Sequence, residues 1–150
     1  MTRNINKIVN DKSQTTAMKT KVTINGIEID AIIDSGAGPN VITNRLRQQL
    51  QIPIMTKSNE RFILADGSGK ASLGKTEIFI EIDEELEIPI EVEIIDSNTE
   101  ELIIGNDALG RLKANIDYEN ELMTIEYNDE IIEMTIGYNH EEIDEMSEDE

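Results

Sequence analysis

The sequence predicts a mainly β fold with one or two short helices, and three patterns support this class. Apolar and polar residues alternate over strand-length stretches, most clearly in 76–82 and 88–94. Turn-forming residues such as Asn25-Gly26 separate these stretches. Helical spacing of apolar residues is confined to two short segments, after Pro39 and after Gly105. A chain of 150 residues is long enough for one domain with a single core.

The first predicted elements are two strands and a helix. Residues 19–34 alternate on both sides of Asn25-Gly26, which predicts a hairpin whose second strand runs straight into Asp34. After Pro39, Thr43 can cap a short helix whose apolar residues Leu46 and Leu50 stand four apart. Ile52-Pro53 is expected to end it.

Two hairpins are predicted in the middle of the chain. Arg61–Leu64 and Ala71–Leu73 flank the glycine-rich stretch 66–69, which predicts a mobile hairpin tip. Residues 76–95 form a second hairpin with its turn at 83–85 and one buried face. Its outer face is expected to carry five acidic residues whose like charges oppose one another, namely Glu77, Glu81, Glu87, Glu91 and Glu93.

The C-terminal third is predicted to add short elements. Leu102–Ile104 is a short buried strand, and Asn106 can cap a helix that extends through Leu112. Further strands are expected at 116–118, 122–127 and 131–136. Residues 138–150 are acidic and weakly apolar, which predicts a disordered tail.

Composition limits the classes of function. The chain has no cysteine, so disulfides and thiolate metal sites are excluded. Its net charge of −19, with no visible basic patch, disfavours nucleic-acid and membrane binding. The N-terminal residues carry no apolar run of signal-peptide or membrane-spanning length, so a soluble, cytoplasmic protein is the default expectation.

The candidate catalytic group is Asp34, which follows an apolar strand and precedes Ser35 and Gly36. This places a carboxylate and a hydroxyl at a turn that glycine can make sharp. On the tripeptide alone, a structural turn at the end of a strand is the commoner interpretation. No other aspartate in the chain is followed by Ser or Thr and then Gly.

Four segments in order resemble the retroviral-type aspartic proteases, the retropepsins, over residues 19–127. Ile32-Ile33-Asp34-Ser35-Gly36-Ala37 is similar to the family's active-site loop, and Phe62–Gly69 stands at the place of its substrate-covering flap. Thr76–Ile82 is similar to the strand that follows the flap. Ile103-Ile104-Gly105, with the residues after it to Leu109, is similar to the motif that leads into the C-terminal helix.

The resemblance implies a closed β-barrel with a flap hairpin, forming half of a twofold dimer. In that arrangement Asp34 is catalytic, Ser35 locks the two loops together across the axis, and Gly36 and Ala37 line the floor. The flap residues Ala65, Asp66, Gly67, Ser68 and Gly69 would close over an extended polypeptide substrate, and no cofactor or metal is implied. The domain would span 19–137, between an N-terminal extension (1–18) and the acidic tail.

The chain is most similar to proteases of gypsy-like retrotransposons and their cellular relatives, because a helix follows the active-site loop and Asn115–Tyr118 follows the second helix. Such proteases are cut from polyproteins. One departure is Gly38-Pro39, which replaces acidic residues that hold the substrate backbone in many retroviral proteases. The tip at Asp66 is also more polar. The expected function is an aspartic endopeptidase that processes a retroelement polyprotein; the alternative is a catalytically silent dimerisation or peptide-binding module of the same fold.

Three other motifs are weaker. Gly67-Ser68-Gly69-Lys70 resembles the end of a phosphate-binding loop, but the first glycine and the metal-binding Ser or Thr are missing. The acidic stretch 96–101 has calcium-like spacing but lacks the required glycine at its sixth position. His140 is the single histidine, so a transition-metal site is not expected there.

Overall fold

The structure, a computed structural model, describes residues 17–63 and 67–138. These residues form eleven strands and two six-residue helices. In chain order these are β1 Met18–Ile24, β2 Ile27–Ile33, β3 Val41–Thr43, α1 Asn44–Gln49, β4 Arg61–Ile63, β5 Gly69–Ala71, β6 Gly74–Glu81, β7 Glu87–Ile95, β8 Leu102–Ile104, α2 Asn106–Arg111, β9 Asn115–Asp117, β10 Leu122–Tyr127 and β11 Glu130–Tyr138. The predicted mainly β class with one or two short helices is confirmed, and the helices are two.

Six strands form the closed barrel. They follow one another in the order β2-β8-β3-β7-β6-β1, and the ring closes where β1 pairs with β2. The β2–β8 and β3–β7 pairs are parallel, whereas β1–β2, β3–β8 and β6–β7 are antiparallel. The strands β11, β10 and β9 extend the sheet outward from β1. The barrel encloses an aliphatic core that includes Ile24, Ile42, Ile78, Ile90, Ile94 and Leu102.

Local sequence explains the first hairpin. Asn25 and Gly26 both have positive φ angles, 51° and 78°, as a two-residue hairpin turn of the type favoured by Asn-Gly requires. The predicted strands on either side are confirmed, and Val22, Ile24, Ala31 and Ile33 are buried. The hairpin therefore delivers the backbone to Asp34 at one end of the barrel.

The flap hairpin is a separate two-stranded sheet made by β4 and β5. Its register pairs Arg61 with Ala71 and Ile63 with Gly69. The second strand thus begins two residues earlier than the predicted Ala71–Leu73, and Leu73 is not part of it, because its N–H bonds to the carbonyl oxygen of Ile94 in β7. Leu64–Asp66, which include the predicted tip residues Ala65 and Asp66, lie outside the described residues.

The acidic outer face of the β6–β7 hairpin agrees with prediction at four positions and differs at one. Glu77 lies opposite Glu91 and Glu81 lies opposite Glu87, so like charges face one another across the strands. Glu93 was expected on the same open face, but it is only 8% exposed. Its carboxylate is covered by the chain segment around Ser58.

Both predicted helix caps occupy the right region but do not cap. Thr43 precedes α1, yet its hydroxyl accepts the N–H of Glu101 (2.9 Å between O and N) rather than an amide of the helix. Gly105, not Asn106, is the residue before α2, and Asn106 is the first helical residue. The side chains of Thr43 and Asn106 form hydrogen bonds with residues distant in sequence instead of capping the helices.

The strands extend one residue beyond each end of the predicted domain, since Met18 of β1 pairs with Tyr138 of β11. The rest of the predicted tail, 139–150, and the predicted extension through residue 16 lie outside the described residues. Within the described part of the chain, no helix is long and apolar enough to cross a membrane.

Candidate active site

Asp34 lies at the carboxyl end of β2, where the chain leaves the barrel. Its backbone N–H donates to the carbonyl oxygen of Ile104 (3.0 Å), which continues the parallel β2–β8 pairing by one further bond. Its side chain is exposed at the surface. The neighbouring strand therefore fixes the backbone of Asp34 while its carboxylate stays accessible.

Gly36 orients this carboxylate. The N–H of Gly36 donates to Oδ1 of Asp34 (2.9 Å), and the N–H of Ala37 donates to the backbone oxygen of Asp34 (3.1 Å). A Cβ atom added at Gly36 would lie 3.2 Å from Oδ1 of Asp34, closer than an ordinary van der Waals contact. The sequence Asp-Ser-Gly thus forms a tight turn in which the absence of a side chain at Gly36 lets its N–H approach the carboxylate of Asp34.

The first amides of α2 hold the next part of the loop. The N–H groups of Asn106 and Asp107 donate to the carbonyl oxygens of Ala37 and Gly38, each at 2.8 Å. These amides have no partner inside a helix, so a loop carbonyl can satisfy them. The side-chain amide of Asn106 adds a bond to the carbonyl oxygen of Ser35 (2.6 Å). The first two residues of α2 are therefore bonded to three carbonyl oxygens of the loop.

Gly105 is the point of closest approach between the loop and the β8–α2 segment. A Cβ at this position would lie 2.4 Å from the carbonyl oxygen of Pro39, 2.8 Å from that of Ala37 and 2.9 Å from that of Gly38. No side chain fits among three backbone carbonyls at these distances. The Ile-Ile-Gly motif thus needs glycine for packing, since Gly105 has an ordinary φ of −100°.

Asn40 is a buried polar residue that sequence reasoning missed. Its Oδ1 accepts the N–H of Gly105 (2.8 Å), and its Nδ2 donates to the carbonyl oxygen of Glu91 (3.0 Å). Its own carbonyl oxygen accepts the N–H of Glu93 (2.8 Å). Asn40 thereby joins the end of the loop to both β7 and β8. A polar residue between Pro39 and an apolar strand was the available signal, but its partners are distant in sequence.

We expect Asn40→Ala to destabilise the fold by about 2–4 kcal/mol, because it leaves a buried N–H and a carbonyl without their partners. Urea unfolding at fixed protein concentration measures this. The matched control is Asn98→Ala: Asn98 is exposed and contributes only its carbonyl, to Arg45, so its loss should change stability by less than about 0.5 kcal/mol. Equal urea midpoints for the two variants would contradict the bridging role of Asn40.

The structure brings most of the predicted site residues together and leaves the flap apart. Asp34, Ser35, Gly36 and Ala37 form one turn beside the supporting motif, in which Ile104 and Gly105 are buried and Ile103 is partly buried. Ile103 pairs with Ile32 and with Val41. The predicted flap residues Gly67, Ser68 and Gly69 are exposed on the separate hairpin. No group of three or more candidate metal ligands occurs in residues 17–63 and 67–138.

Solved structures share this fold. The retroviral protease-like domain of Ddi1 from Leishmania major has a TM-score of 0.62 and 21% identity, covering 83% of this chain and 96% of that one. EIAV protease, in complex with the inhibitor HBY-793, has a TM-score of 0.54 and 20% identity, covering 73% and 99%. A retropepsin-like aspartic protease from Rickettsia conorii has a TM-score of 0.50 and 17% identity, covering 67% and 83%.

No curated protein sequence matches this chain. At the family level, the family described as "gag-polyprotein putative aspartyl protease" matches residues 20–111. That range includes the loop at Asp34, the flap hairpin and the segment around Gly105. It spans more than half of the chain, and the chain therefore belongs to this retropepsin-type family of aspartyl proteases.

Proposed function

We propose that the protein is an aspartic endopeptidase that acts as a homodimer, with Asp34 of each chain supplying one of two catalytic carboxylates. The observation that carries this proposal is the placement of Asp34. Its carboxylate is exposed at the end of the barrel, oriented by the N–H of Gly36, on a loop held by β8 and α2. Family membership supports the same chemistry.

The reaction needs two carboxylates that share one proton. The ionised carboxylate takes a proton from the attacking water while the protonated one donates to the oxygen of the scissile carbonyl. Adjacent carboxyl groups share one proton because two like charges at short distance repel each other. Each chain has one Asp-Ser-Gly sequence, so the second carboxylate must come from a twofold-related copy. The exposed Ser35 and the half-buried Ala37 beside it supply the surface at which two loops would meet.

The proposed substrate is an extended polypeptide segment. The hairpin of β4 and β5 would close over it, exclude water and add backbone hydrogen bonds. The family's description as a gag-polyprotein protease supports a retroelement polyprotein as the natural substrate.

The test is cleavage of a denatured protein by the purified chain between pH 4 and 7. A specific activity that rises with enzyme concentration supports a dimeric enzyme, because dilution separates the two chains that form the site. Absence of cleavage at every pH and concentration would instead support the silent peptide-binding or dimerisation module.

We also expect tighter dimers at pH 5 than at pH 7.5. Each chain carries 32 acidic and 13 basic residues, so two copies repel each other at neutral pH. Ordinary carboxyl groups titrate near pH 4, so at pH 5 a minority of them have taken up a proton and the net negative charge is smaller. Sedimentation at the two pH values measures the dissociation constant.

Raising salt at pH 7.5 is the control for this prediction, because screening weakens the same repulsion without protonating any group. It should shift association in the same direction as acid. Equal or weaker association at pH 5 would contradict the prediction.

A further inference from the structure

Glu93 is a buried charged residue on β7 that the proposed chemistry does not use. It is 8% exposed, and among the buried residues of the described chain it alone carries a charged side chain. A carboxylate is not stably buried without partners, because removing it from water is costly. The identity of those partners indicates what Glu93 does.

The side chain of Glu93 contacts the segment that leads into the flap. Ser58 Oγ donates to Oε1 of Glu93 (2.7 Å), and the same Oγ accepts the N–H of Glu60 (3.2 Å). The carbonyl oxygen of Glu60 in turn accepts the N–H of Ser72 from the other side of the flap (2.8 Å). This chain of bonds runs from the barrel wall to both strands at the base of the flap.

The backbone of Glu93 contacts the candidate catalytic loop. Its N–H donates to the carbonyl oxygen of Asn40 (2.8 Å), and Asn40 holds Gly105 through its side chain. A single residue of β7 therefore bonds on one side to the loop that carries Asp34 and on the other to the base of the flap.

We propose that Glu93 is a positioning residue that fixes the base of the flap relative to the Asp34 loop through its hydrogen bond with Ser58. The assignment rests on the proposed function where it concerns catalysis, but the restraint on the flap is independent of activity. Glu93 acts through Ser58 and Asn40 and is distant in sequence from the residues assigned to substrate.

The hydrogen bond, rather than an ion pair, carries this restraint. Lys75 Nζ lies 4.0 Å from Oε2 of Glu93, at the outer limit of an ion pair, and its side chain is 36% exposed. An ion pair at that distance and exposure contributes little, whereas a 2.7 Å bond to a buried carboxylate is strong. Glu93→Gln keeps the oxygen acceptor for Ser58 and removes the charge, so it should retain the restraint.

The experiment is hydrogen–deuterium exchange on the full chain for wild type, Ser58→Ala, Glu93→Ala, Glu93→Gln and Glu91→Gln. The reporting amides are Ser72 in every variant and Glu60 in the Glu93 variants, because Ser58→Ala removes the acceptor of the Glu60 N–H directly. Residues 88–92 of β7 serve as the internal reference. Exchange at the reporters should rise about tenfold in Ser58→Ala and Glu93→Ala. It should rise less than about threefold in Glu93→Gln and stay unchanged in Glu91→Gln, whose side chain is exposed two residues away on the same strand.

Three outcomes would overturn the proposal. One is wild-type exchange at the reporters in Ser58→Ala. Another is equally fast exchange in Glu93→Gln and Glu93→Ala, which would assign the restraint to charge. The third is an equal rise at residues 88–92 in Ser58→Ala, which would make the bond a global stabiliser instead of a local restraint. A double variant, Ser58→Ala with Glu93→Ala, should behave like Ser58→Ala alone, because Ser58→Ala already removes the bond to Glu93.

Kinetics supply the second readout. The enzyme concentration is set high enough that all chains are dimeric. Under that condition Ser58→Ala should lower kcat/KM about five- to tenfold, mainly by raising KM, because a loosened flap binds the peptide less well. Glu93→Gln, which keeps an acceptor for Ser58, should keep most of the wild-type kcat/KM. If the wild-type chain cleaves nothing, the proposed function fails while the exchange results still decide the restraint.

Discussion

Asp34→Asn should abolish peptide-bond cleavage, lowering kcat/KM by roughly a thousandfold or more, as expected when a group that transfers protons in the transition state is lost. Asparagine has nearly the same size and keeps an oxygen that can accept the N–H of Gly36, the bond that orients the carboxylate. It cannot exchange protons with water or with a partner carboxyl group. The fold should therefore remain while the chemistry is lost.

The matched control is Asp30→Asn, which changes the same residue type four positions earlier on β2. Asp30 is exposed and pairs with Lys21 (2.8 Å), and an ion pair this open to solvent contributes little to stability. This variant should cleave at the wild-type rate. Cleavage by Asp34→Asn at a rate close to that of Asp30→Asn would disprove the assignment of Asp34.

Mixing the two chains tests whether the carboxylates are shared. A heterodimer of wild type and Asp34→Asn has one carboxylate where two are needed, so excess variant should suppress wild-type activity toward zero. Asp30→Asn in the same excess should not suppress it. Wild-type activity that is unaffected by excess Asp34→Asn would mean that each chain works alone.

Sequence patterns predicted the elements that depend on local chemistry. The hairpin at Asn25-Gly26 follows from two residues that accept positive φ, and the β6–β7 hairpin follows from period-two burial of Ile78, Ile88 and Ile90. The placement of Asp34 at the end of a strand follows from the same alternation. Closure of the barrel did not follow from these patterns, because the parallel β2–β8 and β3–β7 pairs join segments far apart in sequence.

The residues that were misplaced or missed share one physical cause. Glu93 continues the alternating pattern that places the other glutamates outside, but the segment around Ser58 covers it. Asparagine is common at helix N-caps, but the side chain of Asn106 donates instead to the carbonyl oxygen of Ser35. In each case a partner distant in sequence decides the role of a polar group, and a single sequence does not reveal that partner.

Gly105→Ala should lower the stability of the protein by about 2–4 kcal/mol and should disrupt the Asp34 loop. The added methyl group would overlap the carbonyl oxygens of Ala37, Gly38 and Pro39, at 2.4–2.9 Å. These atoms belong to the backbone, so they move only if the loop moves, and overpacking of this kind is destabilising. Moving the loop would also lengthen the bonds from the N–H groups of Asn106 and Asp107. Urea unfolding and cleavage activity, both at one protein concentration, should fall together.

Gly110→Ala is the control for the same substitution five residues away. Gly110 lies in α2, and a Cβ there would meet no atom within 4 Å. Alanine loses less conformational entropy than glycine when it folds into a helix. Gly110→Ala should therefore be more stable than the wild type by up to about 1 kcal/mol and keep its activity. The two substitutions should thus change the free energy of unfolding in opposite directions, since Gly105 lies against backbone carbonyls and Gly110 faces open space. A urea midpoint for Gly105→Ala at or above that of the wild type would mean that the loop does not pack against β8 and α2 as described.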